Sequence, residues 1–300
     1  KRLGFVVPQK SLRATVKKVF KATPGLRNID ILSPYTVAGA QTRWDVLVVD
    51  ETHRLTHRGS GATQGMYKDR NKTLFGSREG DQTAIDWIVK QSDHQVFLLD
   101  GLQTVRPADV PASALKAIRT KAQNAGRHYS LESQIRVAAG DEYLNFARSL
   151  LTNEPLPIKP LSTYDLRFFD DLGEMRDEIL RRDAEVGLSR LVAGYAWKWI
   201  SQDVKGDDAP YDIELDGAQL RWNRKSVDWI ASEGSEFEVG SVHTVQGYDL
   251  NYAGVIIGPD IAWNEDLGQV CAVRGSHFDR EVRSFSTDEN ILEYIANAYY

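Results

Sequence analysis

Cysteine is almost missing from this chain: Cys271 stands alone among 300 residues. That excludes an internal disulfide framework and a multi-cysteine zinc site, and it fits a reducing, cytoplasmic compartment. No apolar run approaches the ~18 residues that a membrane-spanning helix needs, so no membrane partner is expected. The opening Lys1-Arg2-Leu3-Gly4-Phe5-Val6-Val7-Pro8 is too short in apolar residues for a signal peptide, and it lacks an initiator Met. We therefore expect a piece of a longer chain whose other domains are its partners. Internal repeats, low-complexity tracts and long linkers are absent as well. What remains is an ordinary globular composition, 42% hydrophobic and 26% charged. The length suits two domains that bury about 75% of their unfolded surface.

The net charge of −5 hides an asymmetry. Residues 1–150 carry 23 Lys and Arg against 14 Asp and Glu, net +9, whereas residues 151–300 carry 14 against 28, net −14. Lys1, Arg2, Lys10, Arg13, Lys17, Lys18, Lys21 and Arg27 all precede the first acid, Asp30. A positive lobe beside a negative one suggests that the first meets a polyanion, although a solvated helix face carries incidental charge equally well.

Hydrophobic periodicity predicts α/β architecture. Leu3–Val7, Val46–Val49 and Val96–Leu99 are short apolar runs of the kind buried on both faces of a parallel sheet, and Lys10–Lys21, Thr83–Lys90 and Pro111–Ala125 have helical spacing. The Asn153–Pro160 stretch, with three prolines, is the expected boundary between domains at 1–152 and 153–300. Beyond it, strands are predicted at Leu166–Phe169, Arg190–Ala193, Glu238–Val242 and Tyr252–Ile257, with a helix at Leu172–Glu185 and an irregular Trp-rich middle.

The sharpest local feature is Val46-Leu47-Val48-Val49-Asp50-Glu51-Thr52-His53. Open α/β sheets bind ligands beyond the carboxyl ends of their strands, and two adjacent acids there suit phosphoryl transfer to water. Asp50 is the candidate to hold Mg²⁺ and Glu51 to orient the attacking water. A strand that simply meets solvent through two acids is the plainer alternative. Val96-Phe97-Leu98-Leu99-Asp100-Gly101-Leu102-Gln103 ends in the same way, and Gln103 suits sensing of a terminal phosphate. In the second half, Ser241–Asp249 follows an apolar strand and carries hydroxyl, imidazole and amide groups that can meet a phosphate or a nucleic-acid backbone.

In this order the segments resemble the superfamily 1 DNA/RNA helicases, and within them a bacterial group of helicase-like ATPases allied to the Schlafen helicase domain. Phe5–Arg13 looks like motif Ia, Asp50-Glu51-Thr52-His53 like the Walker B motif II with Thr in place of the usual Ala, and Asp100–Gln103 like motif III. Leu131–Arg136 looks like motif IV, and His243–Asp249 like motif V with Asp where Glu is usual. Ala193–Trp199 and Gly254–Asp260 look specific to the bacterial group. The resemblance implies two RecA-like lobes of the P-loop NTPase fold, with mainly parallel sheets covered by helices and with ATP and Mg²⁺ between them. It implies a motor that couples hydrolysis to remodelling of DNA or RNA. Glu51, Gln103 and Arg136 become the catalytic candidates; Asp50, Asp100, Gln134, Gly247 and Asp249 those for the nucleotide; and Gln9, Lys10, His243 and Thr244 those for nucleic acid.

Two parts of the pattern are missing. No Gly-Lys dipeptide occurs, so the phosphate-cradling loop G-x-x-x-x-G-K-[ST] is not in these residues, and no motif VI arginine follows the helical Asn290–Tyr300. Arg274-Gly275 sits too early to replace it. We expect truncation at both ends. A non-hydrolysing nucleic-acid or protein interaction module is the alternative, and a nuclease built on Asp50, Glu51 and Asp100 a third reading. His53 and His57 share a zinc-compatible spacing but lack the Glu that a zincin needs after the first His. Gly59–Gly65 has no Lys and reads as a mobile loop, and the tryptophans read as core more readily than as base-stacking platforms.

Overall fold

A computed structural model describes residues 2–59, 61–100, 104–131, 140–153, 164–204, 206, 208–225, 228–245 and 247–299. The chain divides into two compact units, 1–130 and 131–300.

In the first unit, strands β1 (Leu3–Val6), β2 (Asp30–Leu32), β3 (Trp44–Val49) and β4 (Ser92–Phe97) form a sheet in the order β2-β1-β3-β4. Every neighbouring pair is parallel. Parallel neighbours need crossover connections, and the helices supply them. Helix α1 (Lys10–Ala22) leads from β1 to β2 and α2 (Pro34–Ala38) from β2 towards β3; α3 (Gln64–Phe75) and α4 (Ala84–Lys90) separate β3 from β4, and α5 (Ala112–Asn124) follows. The apolar residues of β1 and β3 meet those of α4 in one core containing Val6, Trp44, Leu47, Val49, Trp87 and Ile88. The indole of Trp87 packs on Tyr35 and Tyr67 and donates to Asn71 Oδ1 at 2.6 Å, so its one polar group is satisfied inside. Helix α4 starts where Thr83 Oγ1 accepts the N–H of Ile85 while the Asp86 carboxylate accepts the N–H of Thr83, a reciprocal cap.

Two local expectations change here. Strand β4 is the edge of its sheet, and Val96 and Leu98 are 48% and 40% exposed rather than buried on both faces. The glycine-rich stretch, read as a mobile loop, includes a turn of 3₁₀ helix at Gly61–Thr63 that runs into α3.

The second unit holds α6 (Asp141–Leu151), α7 (Leu172–Val186), β5 (Ser189–Ala193), the hairpin β6 (Ile213–Leu215) and β7 (Ala218–Leu220), β8 (Val239–Ser241), the single turn α8 (Val242–Val245), β9 (Tyr252–Ile256), the hairpin β10 (Ile261–Asn264) and β11 (Gln269–Ala272), α9 (Arg280–Phe285) and α10 (Ile291–Tyr299). Its main sheet, β8-β5-β9, is parallel, and central β5 is buried along its whole length. Helix α7 packs on β5 and β9, with Leu172 and Ile179 in a core shared with Leu191, Trp222 and Val239. Trp222 and Trp229 are sealed in the interior, as core tryptophans should be. Helix α6 belongs with this unit: it touches α10, and the Asn153 amide exchanges hydrogen bonds with the backbone of Val270. The unit boundary thus falls at 130/131, ahead of α6, while most of the proline-rich stretch expected at 153–160 lies outside the described residues. Leu166–Phe169 is not a strand. Arg167 there pairs with Asp165 and Glu178, and Phe168 stays exposed, so that segment lies as an irregular strap beside α7.

Candidate functional site

The carboxyl ends of β1, β3 and β4 open at one edge of the first sheet, because all three strands run in the same direction. Gln9 and Lys10 follow β1, Asp50 and Glu51 leave β3, and Asp100 follows β4. The acids expected to cap neighbouring strands do so, on adjacent β3 and β4. The exit of β3 is tightly tied: the N–H of Asp50 reaches Val6 O at 3.0 Å, and that of Thr52 reaches Leu98 O at 2.8 Å. Glu51 sits between them in the left-handed region, with φ 46° and ψ 49°. Such a conformation costs a non-glycine residue about 1–3 kcal/mol and is a feature that functional sites concentrate.

The neighbouring histidine joins the two strand ends. His53 is buried; its Nδ1 accepts the N–H of Asp100 at 3.1 Å, and its Nε2 lies 2.8 Å from Glu51 Oε2. Because Nδ1 spends its lone pair on a backbone donor, the ring proton sits on Nε2, which lies close to the Glu51 carboxylate without an aligned hydrogen bond to it. One imidazole therefore lies between the carboxylate leaving β3 and the chain leaving β4. Asp50 is partly exposed, and its Oδ1 accepts the N–H of Glu51 at 3.1 Å. Thr52, the departure from the motif, is fully buried, and its hydroxyl donates to Val49 O at 3.3 Å, so the site accommodates it.

The loop beyond is clamped by a pair that the sequence does not advertise. Arg54 Nη1 and Asp109 Oδ2 meet at 2.9 Å with both side chains buried, and the same oxygen accepts the N–H groups of Val105 and Arg106. His57 Nδ1 lies 2.9 Å from Asp109 O. His53 and His57 are thus engaged in different places, which removes the zinc arrangement. Among the described residues no three His, Cys, Asp or Glu side chains gather as a metal-holding group, so Asp50, Glu51 and Asp100 do not form the cluster that the nuclease reading needs.

Beside this edge, α1 presents Lys10, Lys17, Lys18 and Lys21 to solvent. Arg13 turns inward instead: it donates to Val7 O at 3.0 Å, and burial lowers its guanidinium pKa.

In the second unit the residues expected to meet nucleic acid divide. His243 lies on α8 at the end of β8, its ring 5.3 Å from that of Tyr195. Thr244 is buried, and its hydroxyl donates to Asn223 Oδ1 at 2.8 Å, so its proton is committed inward. Asn223 itself takes a left-handed φ of 53° beside the hairpin β6–β7, a partner that no local pattern announces. Gly247, at φ 88°, turns the chain after α8, and Asp249 is exposed beyond it. Arg274 is consumed structurally: its guanidinium binds Asp288 Oδ1, Arg283 O and Ser286. Gln103, Gln134 and Arg136 lie outside the described residues.

Comparison with known proteins adds two findings. Residues 9–300 match the profile of the Schlafen group 3 DNA/RNA helicase domain. The chain is also 27% identical over 246 residues to the uncharacterized protein YPL245W of Saccharomyces cerevisiae, an alignment covering 73% of this chain and 50% of that protein. The chain thus spans about half the length of the curated relative it matches. No described helix is long and apolar enough to cross a membrane.

Proposed function

The chain belongs to the Schlafen group 3 DNA/RNA helicase domain family, and from that premise we propose that it forms the ATPase core of a motor that remodels DNA or RNA. The observation that carries this reading is the edge of the first sheet, where Asp50 and Glu51 leave one strand and His53 ties Glu51 to the exit of the next. The donor set fits Mg²⁺, which needs only one or two carboxylates when phosphate oxygens and waters complete its octahedron. Asp50 is the residue to hold it. When bound, Mg-ATP supplies the phosphoanhydride that is cleaved and a cation that offsets developing charge.

The chain's own residues do the rest. Glu51, held by His53, orients the attacking water and takes its proton. Asp100 lines the neighbouring strand end, and its backbone N–H fixes the His53 tautomer, so a shift of that segment changes the posture of Glu51. Gln103 senses the terminal phosphate and Arg136 offsets its charge, with Gln134, Gly247 and Asp249 contributing to nucleotide binding. Nucleic-acid backbone contact is assigned to Gln9 and Lys10 in the first unit and to His243 and Thr244 in the second, Thr244 through its position rather than its hydroxyl proton. We assign one RecA-like lobe to each compact unit, 1–130 and 131–300.

Removing the general base while keeping its shape is the direct test. Glu51→Gln is expected to lower nucleic-acid-stimulated ATP hydrolysis by about 10²–10⁴-fold and to leave binding of a fluorescent ATP analogue within a factor of about two. Unchanged turnover in Glu51→Gln overturns the assignment. One observation favours a second reading, a non-hydrolysing nucleic-acid module: the 300 residues contain no Gly-Lys dipeptide. Nucleic-acid binding that ignores ATP, with no hydrolysis in the intact protein, selects that module.

A further inference from the structure

The two segments singled out in the second half, around Tyr195 and around Asp260, have no role in the chemistry above, yet they meet. Gly194 lies so close to the Tyr299 ring that a Cβ there would come within 2.8 Å of it, and a Cβ on Gly258 would come within 2.1 Å of Ala196 Cβ. Hydrogen at Gly194 leaves room for the Tyr299 ring, and hydrogen at Gly258 for the side chains of Ala196 and Trp197.

The contact encloses a buried acid. Asp260 is fully buried, and an ionised carboxylate there is costly unless donors surround it. Two do: His277 Nδ1 lies 2.8 Å from Oδ2, and the Tyr299 hydroxyl 3.2 Å from Oδ1. Burial and the neighbouring carboxylate raise the Tyr299 pKa well above the ordinary phenol range, so the hydroxyl keeps its proton and donates it, while accepting the N–H of Gly258 at 3.2 Å. The carboxylate draws the imidazole proton to Nδ1, and the ring's other nitrogen, Nε2, is buried with no hydrogen-bond partner among the described residues.

Tyr195 lies against this pair. Its ring is 6.4 Å from that of His277, 5.3 Å from that of His243 and edge-on to Trp222 at 4.9 Å. Its carbonyl accepts the N–H of Phe278, the residue after His277, at 2.6 Å. Trp222 is anchored in turn by Nε1 donating to Ala193 O at 3.2 Å. Packing alone does not require such a centre, since apolar side chains of similar volume fill a core at least as stably as a buried ion pair.

We propose that His277 is a positioning residue for His243: the Asp260–His277 pair, braced by Tyr299, fixes the Tyr195 ring as the platform on which the His243 imidazole rests. Set this way, His243 meets single-stranded nucleic acid in one posture. The second half of the inference rests on the reading of His243 as a nucleic-acid contact; the platform itself does not.

The test uses the 300-residue chain, with ¹H–¹⁵N spectra of the histidine rings and the affinity for a fluorescein-labelled single-stranded oligonucleotide. His277→Leu is expected to move the His243 ring signals in the free chain and to weaken the oligonucleotide about tenfold, the scale of losing a supporting hydrogen-bond partner. His277→Gln, which keeps a donor for Asp260, is expected to restore most of both. Tyr299→Phe, which removes only one of the two donors, should move the signals less. His243 signals that stay in place in folded His277→Leu, or in Tyr299→Phe where the Leu variant does not fold, overturn the platform. His243→Ala separates the two layers: unchanged oligonucleotide affinity there overturns the nucleic-acid reading, whereas the ring signals still judge the positioning role.

Discussion

At the edge of the first sheet, Asp50 and Glu51 leave β3 as partly exposed acids, Glu51 beside a single buried histidine, whereas in the second unit Asp260 and His277 are sealed from water beneath aromatic rings. Both places pair a carboxylate with an imidazole. They differ in which partner meets solvent. In the first the acid reaches outward and the histidine lies behind it, which suits a group that handles a ligand. In the second the acid is innermost and the histidine faces a tyrosine, which suits a brace. Burial, more than the identity of the pair, separates a reacting group from a supporting one.

The contrast extends to what holds each region. The loop beside Glu51 depends on a buried ion pair, and the cluster around Asp260 on close backbone packing, so each should fail by its own mechanism. Arg54→Met strands the Asp109 carboxylate and should cost about 3–5 kcal/mol in urea unfolding. Arg54→Met combined with Asp109→Leu should recover part of that, short of full recovery because Asp109 also accepts two backbone N–H groups. An equal cost for the single and double variants would remove charge burial as the cause. Gly258→Ala should cost about 1–3 kcal/mol by overpacking and alter the near-ultraviolet circular dichroism of the tryptophans, leaving the first region's chemistry intact. Thr83→Ala, at a helix start in the first unit, should cost about 1 kcal/mol in the same unfolding assay and leave that dichroism unchanged.

The smallest effect belongs to the surface of α7. Hydrogen bonds from Arg181, then Arg182, hold the Glu178 carboxyl down to about 2 from its ordinary 4.5. A depressed carboxyl pKa stabilises the fold above the unfolded value and loses that contribution as pH falls. The difference in Tm between the wild type and Glu178→Gln should therefore be present above pH 4.5 and shrink as pH falls towards about 2. A difference that grows on acidification would refute the sign.

The same contrast explains how much could be read before the structure. A run of apolar residues ending in Asp50-Glu51 is local, and its place at a sheet edge follows from strand direction alone. The alternation of short strands and helices is local too, and it foretold β1, β3, α1, α4, α5, α7, β5, β8 and β9 to within a few residues. The exposed face of β4 was not readable, because Val96 and Leu98 look the same in sequence whether or not a neighbouring strand covers them. Leu166–Phe169 failed for a related reason: Arg167, in its middle, is drawn to Asp165 and Glu178 and not into a ladder. Nor does any spacing reveal the pairing of Arg54 with Asp109, or the meeting of Tyr195, Asp260, His277 and Tyr299. Those partners are distant in sequence, and only the fold brings them together.

The acid-tipped edge of the first sheet is the proposed seat of a metal-bound nucleotide. Its most direct measurement is the affinity of the protein for ATP in the presence of Mn²⁺, a paramagnetic substitute for Mg²⁺, followed by electron paramagnetic resonance in the wild type, Asp50→Asn and Asp266→Asn. Asp50→Asn should weaken metal-dependent ATP binding by at least about tenfold, equivalent to ~1.4 kcal/mol, while Asp266→Asn, on the exposed β10–β11 turn of the second unit, matches the wild type. Equal affinities for the wild type and Asp50→Asn would contradict it.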